Sequence, residues 1–272
     1  MRGSSRASLA AAKQRLIAAL HGKAERQALS VGDELFAVVG LLDGDPGLRR
    51  ALSDPAREAR DRIGLAETLL RGKISATTLA QVTGLVGARW SSPRDLADAV
   101  EQLAVLAVAH AADTDGQLDN LEDDLFRFGR VVQASPDLRS ALSNQFVPAQ
   151  GRTQVVARLL DGKVTESALR LITQAAGHPR GRSLDASLEA YANLAADLRE
   201  RLVAEVHVAV PLTDLQRDRL AAALVQAYGH DVHLNIVLDP QVIGGLSVRI
   251  GDELINGSVA SRLAELRRDL AA

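Results

Sequence analysis

The sequence contains no cysteine and few aromatic residues, and each absence excludes a class of function. Without cysteine the chain cannot form a disulfide framework, a zinc site built on thiolates or a thiol nucleophile. Aromatic residues supply only 3% of the chain, which argues against a surface that stacks nucleic-acid bases. The formal net charge of −2 gives no general attraction to nucleic acid or anionic lipid. We therefore expect no nucleic-acid partner.

Long hydrophobic runs are also absent. The most apolar segment, Leu103 to Ala112, is much shorter than the roughly 18 residues that a bilayer span needs, so we expect no membrane-spanning helix. Apolar residues nevertheless make up 47% of the 272 residues and charged residues 24%, which is typical of chains that bury a core. The length allows two or three domains.

An internal repeat organises the first two thirds of the chain. The segment LLRGKISATTL (Leu69–Leu79) matches LLDGKVTESAL (Leu159–Leu169) at an offset of 90 residues. Upstream, Glu34–Ser53 aligns with Asp124–Ser143 at the same offset, so that leucine matches leucine and proline matches proline. The repeat predicts two copies of one helical unit.

Apolar spacing and stop signals divide the second copy into six helical segments. The breaks fall at Pro136, at Gly162 and at residues 177–181, where proline and glycine end helices. We expect the first segment to serve also as the last helix of the first copy. The six segments are about Asp95–Ala112, Leu118–Ala134, Asp137–Ser143, Gln150–Leu160, Thr165–Ala176 and Ser183–Arg201.

After residue 201 the helical period gives way to alternation. The sequence predicts a strand over Val206–Val210, a helix that starts at a capping box of Thr213 and Gln216, and a second strand over Val232–Leu238. The helix is expected to run from Leu215 to Tyr228. The buried face of the second strand is predicted to consist of Leu234, Ile236 and Leu238.

The glycine-rich stretch that follows is typical of turns, not of a phosphate-binding loop. Gly251-Asp252 is a connection that a tight hairpin prefers, and it joins two predicted strands. A turn at Asn256-Gly257 and an N-cap at Ser258 would then start a last helix. Neither the dinucleotide nor the P-loop glycine pattern is present, so a nucleotide-using enzyme is a minor alternative. The first strand of this hairpin should bury Leu246, Val248 and Ile250. The last helix should bury Val259, Leu263, Leu266 and Leu270.

These patterns predict a mainly α protein with a small α/β domain. A duplicated helical bundle is followed by a C-terminal domain with a short sheet and a hairpin. We expect an extra N-terminal copy at residues 1–94, a six-helix bundle at residues 95–201 and the α/β domain at residues 202–272.

Two groups of residues could suggest a metal site. Residues 111–122 resemble an EF-hand loop with Asp113, Asp115 and Glu122 at ligand positions, but Ala111 stands where the first carboxylate is required. We therefore interpret them as a helix connection and expect no metal. Since no catalytic triad or carboxylate pair can be assembled either, we expect no catalytic residue and no cofactor. The other possible group consists of His207, His230 and His233, without a definite further ligand.

The stretch VIGGLSVRIGDELINGSVASRLAEL (Val242–Leu266) resembles the C-terminal signature of the delta subunit of bacterial F-type ATP synthases. This family includes the mitochondrial oligomycin-sensitivity-conferring protein. At Asn256 the family more usually has aspartate. The resemblance extends from about Asp95 to Ala272, and the additional N-terminal copy is similar to that of the longer delta chains of high-GC actinobacteria.

The resemblance implies a non-catalytic stator subunit of a proton-translocating ATP synthase. In the family, the helical domain binds the N-terminal helices of alpha subunits in the catalytic head, and the C-terminal domain binds the b-type stalk. The chain would then lie peripherally at the cytoplasmic face of the bacterial cell membrane, attached only through the complex. A helical-repeat adaptor unrelated to the synthase is the alternative.

The resemblance also implies where the alpha-subunit helix binds. In the family it packs between the first and fifth helices of the six-helix domain, here about Asp95–Ala112 and Thr165–Ala176. The same apolar stripes must also help to build the core, since one stripe cannot face both the core and a partner. The implied groove residues are Val100, Leu103, Ala107, Leu169, Ile172 and Ala176.

Overall fold

The computed structural model describes residues 1, 3–143, 146–228, 233–239, 245–250 and 253–256. The chain divides into two compact units, residues 1–196 and 197–272. The predicted fold class, mainly α with a small α/β part, is confirmed. The further division of the first unit at residue 94 stays a prediction. The helices that begin in the first unit are α1 (Gly3–Leu20), α2 (Glu25–Gly44), α3 (Pro46–Ser53), α4 (Ala59–Leu70), α5 (Ala76–Gly87), α6 (Pro93–Thr114), α7 (Leu118–Ala134), α8 (Pro136–Ser143), α9 (Ala149–Leu160), α10 (Glu166–Gly177) and α11 (Leu184–Leu202).

The repeat seen in the sequence is also a repeat of structure. Helices α8, α9 and α10 start and end 90 residues after α3, α4 and α5. Their caps repeat as well: Ser75 caps α5 by accepting from the Thr78 amide, and Thr165 caps α10 by accepting from the Ala168 amide. The turn before each cap is held by an acidic side chain, because the amides of residues 75 and 165 donate to Glu34 and Asp124 respectively.

Helix α6 is shared by the two copies, as the sequence predicts. It packs against α1, α2, α3 and α5 of the first copy and against α7 and α10 of the second. From residue 103 to residue 112 every side chain is buried, so the helix has no solvent face over this stretch. A helix that is apolar on all sides is typical of the centre of a larger helical assembly.

The second unit contains a four-stranded sheet, β2-β1-β3-β4, built from β1 (Val203–Val208), β2 (His233–Leu238), β3 (Leu246–Ile250) and β4 (Glu253–Asn256). Helix α12 (Asp214–Tyr228) connects β1 to β2, which pair in parallel. The predicted capping box is confirmed: the Gln216 amide donates to the Thr213 hydroxyl, and the Thr213 amide donates to the Gln216 side chain.

The predicted bounds of the first strand are wrong. The strand begins at Val203 and ends at Val208, and Val210 is exposed. Val208 pairs with Leu238, the last residue of β2, and with Leu246, the first residue of β3, so the ladder ends there. On β2, Leu234 and Ile236 pack against the core but Leu238 is exposed, contrary to the predicted face. Leu238 is the last residue of an edge strand, where little lies above it.

The predicted hairpin is confirmed. Strands β3 and β4 pair antiparallel with Ile250 opposite Glu253. The predicted connection at Gly251-Asp252 lies outside the described residues. Val248 and Ile250 are buried and Leu246 packs against the same core, as expected. The predicted turn at Asn256-Gly257, the cap at Ser258 and the last helix lie outside the described residues.

Within the described part of the chain, no helix is long and apolar enough to cross a membrane.

Candidate functional site

The residues implied to form a helix-binding groove lie mostly inside the protein. Val100, Leu103 and Ala107 on α6 are at most 1% exposed. On α10, Ile172 and Ala176 are also buried, and only Leu169 is partly exposed. Five of the six side chains therefore serve the core of this chain, and their role in binding a partner stays a prediction.

The six residues are also not gathered on one face. The Ser167 hydroxyl lies 3.5 Å from the Val108 carbonyl oxygen, so the Ser167 side of α10 faces α6. Ile172 follows five positions later, about 140° further round a helix that turns about 100° per residue. The α10 residues nearest to α6 are therefore those around Ser167, on a different side from Ile172.

Helix α2 of the first copy covers α6 beside α10. Among the described residues, α2 and α6 pack against each other more extensively than any other two helices or strands. Gly32 marks the closest approach, because a Cβ built there would lie 2.7 Å from Val108 Cγ2 and 3.3 Å from the Ala104 carbonyl oxygen. At the flank, Asp33 pairs with Arg170 of α10. The chain thus places one of its own helices along α6, one of the two helices that the resemblance implied for a partner, with an ion pair to the other.

A buried ion-pair network fixes the far end of α2. The Arg180 side chain, 4% exposed, pairs with Asp43 of α2 at 2.5 Å, with Asp98 of α6 at 2.9 Å and with Glu101 of α6. Glu101 is also buried, and it accepts from Tyr191 of α11 at 2.8 Å. The network joins both copies through the shared helix, and breaking it would leave buried charges without partners.

Burial and neighbouring charges shift the ionisation of these groups in opposite ways. Burial raises the pKa of Asp98 and outweighs the nearby Arg180 charge, which lowers it. For Arg180 burial favours the neutral form, but the Asp43 hydrogen bond and the surrounding carboxylates raise its pKa above the ordinary value. Burial and the Glu101 carboxylate raise the pKa of Tyr191, so this phenol stays protonated and donates.

The lysine-bearing turn at residue 162 forms hydrogen bonds with the ends of the helices that it joins. The Lys163 ammonium donates to the Leu159 carbonyl at the end of α9, and Asp124 holds the start of α10. The EF-hand-like segment is likewise a helix connection, in which Gly116 adopts a φ of 68° just after α6 ends. Among the residues that the structure describes, no group of three or more His, Asp or Glu side chains is placed to hold a metal ion.

Sequence reasoning missed the residues that attach α2. Asp33 and Arg170 are 137 residues apart, as are Asp43 and Arg180, and no helical or strand period connects such positions. The available signal was Gly32 in the interior of α2, since a glycine inside a helix marks either weakness or close packing.

Comparisons of the sequence with known proteins point to one family. Residues 103–270 match the family model described as ATP synthase delta (OSCP) subunit. A Streptomyces avermitilis protein named ATP synthase subunit delta is 48% identical over 270 residues, which cover 99% of this chain and 98% of that protein. A Streptomyces coelicolor protein of the same name is 46% identical over 272 residues, covering 100% and 99%. A chain of the Toxoplasma gondii mitochondrial ATP synthase hexamer covers 62% of this chain at 23% identity, but its TM-score of 0.30 is too low to support a structural argument.

The similarity to these relatives also extends over the first copy. The family model begins inside α6, whereas the two Streptomyces proteins align across the first copy as well. The match to the family model covers more than half of the residues, and the relatives are similar over nearly the whole length of both chains. The chain therefore belongs to the ATP synthase delta (OSCP) subunit family.

Proposed function

We propose that this chain is a non-catalytic peripheral-stalk subunit of a proton-translocating ATP synthase, which links the alpha subunits of the catalytic head to the b-type stalk. The observation that carries the proposal is the similarity to proteins named ATP synthase subunit delta over both the helical unit and the α/β unit. A helical-repeat adaptor unrelated to the synthase would not be expected to share the C-terminal signature.

The two units suit a linker with two partners. In this proposal the helical unit, residues 1–196, binds the head and the α/β unit, residues 197–272, binds the stalk. A rotary motor delivers torque, so its static parts must resist rotation, and helix-in-groove contacts can bear such a load without chemistry. The chain would lie at the cytoplasmic face of the bacterial membrane, held there through the complex.

The position of the head-binding surface within the helical unit is part of the proposal. Of the six residues implied by the resemblance, Leu169 alone is exposed enough to contact a partner while the helices keep their positions. The other five are buried, so a partner could reach them only if packed helices moved apart. A surface that is already open is therefore a better candidate for the first contact.

Affinity purification of the tagged chain from its native membranes tests the proposal. We expect alpha, beta and b-type subunits to be recovered with it, and calorimetry on the isolated chain to detect no saturable ATP binding. Recovery of none of these subunits, from membranes whose synthase is captured intact through its beta subunit, would refute the stator role. Saturable ATP binding would favour the nucleotide-using alternative.

A further inference from the structure

The repeat allows helix α2 to be compared with its counterpart in the second copy, helix α7, at the offset of 90 residues. One side of the two helices is buried in the same way in both copies. Each buried position on this side of α2 has a buried counterpart on α7. These positions on α2 are Ala28, Val31, Leu35, Val38, Val39 and Leu42.

A second side is buried on α2 but not on α7. Three residues that recur at intervals of three and four form a buried stripe along this side of α2. The stripe consists of Leu29, Gly32 and Phe36. On α7 the same positions carry the acidic residues Asp119 and Glu122, and also Phe126, whose residue surface is 65% exposed. Helix α2 therefore has a contact surface that its counterpart lacks.

This stripe faces the crease between α6 and α10 of the second copy. A Cβ built on Gly32 would lie 2.7 Å from Val108 Cγ2 of α6. The carbonyl oxygen of the same Val108 lies 3.5 Å from the Ser167 hydroxyl of α10. The next residue of α2, Asp33, pairs with Arg170, which lies about one turn beyond Ser167 on α10. Helix α2 thus lies along the line where α6 and α10 meet.

The attachment at the other end of α2 is also specific to the first copy. The buried Arg180 side chain pairs with Asp43 near the end of α2, where α7 has the uncharged Gln133. Displacing α2 would expose the apolar stripe to water and would take one carboxylate away from the Arg180 guanidinium. Both changes are unfavourable, so α2 is difficult to displace.

We propose that α2 is a permanent internal ligand of the crease between α6 and α10, so that no helix of a partner protein enters between these two helices. The first copy would then close a binding position in the second copy instead of adding one. The inference rests on the proposed function, because the excluded helix is the alpha-subunit helix that the family resemblance places between α6 and α10. The catalytic head would contact the helical unit elsewhere.

The test fixes α2 in place and measures binding of the full-length chain to the purified catalytic head. The chain contains no cysteine, so two introduced thiols can be joined selectively. In the double variant Asp33→Cys, Arg170→Cys the thiols replace two side chains that pair between α2 and α10. Both side chains are partly exposed, and such ion pairs contribute little to stability, so the variant is expected to fold. A bismaleimide joins the two thiols, and N-ethylmaleimide, which modifies them without joining them, is the matched control.

We expect the cross-linked chain to bind the head with an affinity within about twofold of the control, because the state that binds the head already has α2 in place. The cross-link should also form with the same yield in the free chain and in its complex with the head. Hydrogen exchange on the unsubstituted chain provides a measurement that needs no variant. The amides of α2 should be at least as protected in the complex as in the free chain.

If a helix of the head had to replace α2, cross-linking would remove the binding-competent state and weaken head binding about tenfold or more. That weakening, or a loss of protection in α2 when the head binds, would overturn the inference and leave the proposed function standing. A cross-link that does not form in the free chain would also overturn it, because α2 would then not lie beside α10. Failure of the unsubstituted chain to bind the head at all would refute the proposed function, and the inference with it.

Discussion

At the residue scale, two equivalent arginines show how the repeat holds its helices. Arg62 of α4 is buried and donates to the carbonyl oxygens of Gly87 and Ala88 at the end of α5. Its equivalent, Arg152 of α9, donates to the carbonyl of Gly177 at the end of α10. The last carbonyls of a helix have no partner within it, and a cation there is electrostatically favourable.

Replacing either arginine with methionine should therefore destabilise the helical unit. We expect Arg62→Met and Arg152→Met each to lower the free energy of unfolding by about 1–3 kcal/mol, since buried carbonyls lose their donors. Arg158→Met, an exposed position on the same helix as Arg152, should change it by less than about 0.5 kcal/mol. Chemical denaturation measures all three. Equal stability of the buried and exposed variants would show that water replaces these donors.

Tyr191 predicts a pH dependence at the alkaline end. The folded chain raises the pKa of its phenol above the ordinary value of about 10, mainly by burial. The stabilisation is complete below the unfolded pKa and is lost as the pH rises above it, because the unfolded chain releases the proton first. Tyr191→Phe should thus lose less stability than the unsubstituted chain between about pH 9 and pH 11. Urea unfolding at both pH values checks this, and parallel losses would contradict it.

At the element scale, the attachment of α2 to α6 depends on Gly32. Gly32→Ala should destabilise the chain by about 1–3 kcal/mol, because its methyl group would overlap Val108 and the α6 main chain. Gly40 lies on the same helix, and nothing lies within 4 Å of a Cβ built there. Gly40→Ala should therefore stabilise the chain by up to about 1 kcal/mol through helix propensity. Thermal unfolding compares them. If Gly32→Ala matched Gly40→Ala, α2 would not pack closely on α6 in solution.

The starts and ends of helices could be predicted from local sequence signals, whereas the packing partners of the helices could not. Proline at the starts of α3 and α8, and glycine at the ends of α5 and α10, mark ends that neighbouring residues decide. The shared role of α6 was predictable because Val100-Glu101 resembles Leu188-Glu189 in the last helix of the second copy. The packing of α2 was not, because pairs such as Asp43 and Arg180 form only after distant segments have folded together. For the same reason, the apolar spacing in the sequence does not distinguish a Leu103 that faces the core from one that faces a partner. The structure buries it.

At the scale of the whole molecule, the proposed function requires one chain with two separate attachments. In the proposed function the helical unit, residues 1–196, contacts the head and the α/β unit, residues 197–272, contacts the stalk. A chain that connects head and stalk must bind both at once, and linking two contacts makes the assembly stronger than either contact alone. Loss of the head contact should therefore leave the chain attached to the stalk.

Co-sedimentation tests whether the chain links the head to the stalk. Purified catalytic head is mixed with vesicles that carry the b-type stalk, with and without the full-length chain, and the head in the pellet is measured. We predict that the head sediments with the vesicles only when the chain is present. A head that stayed in the supernatant despite the chain, or that sedimented equally well without it, would contradict the linking role.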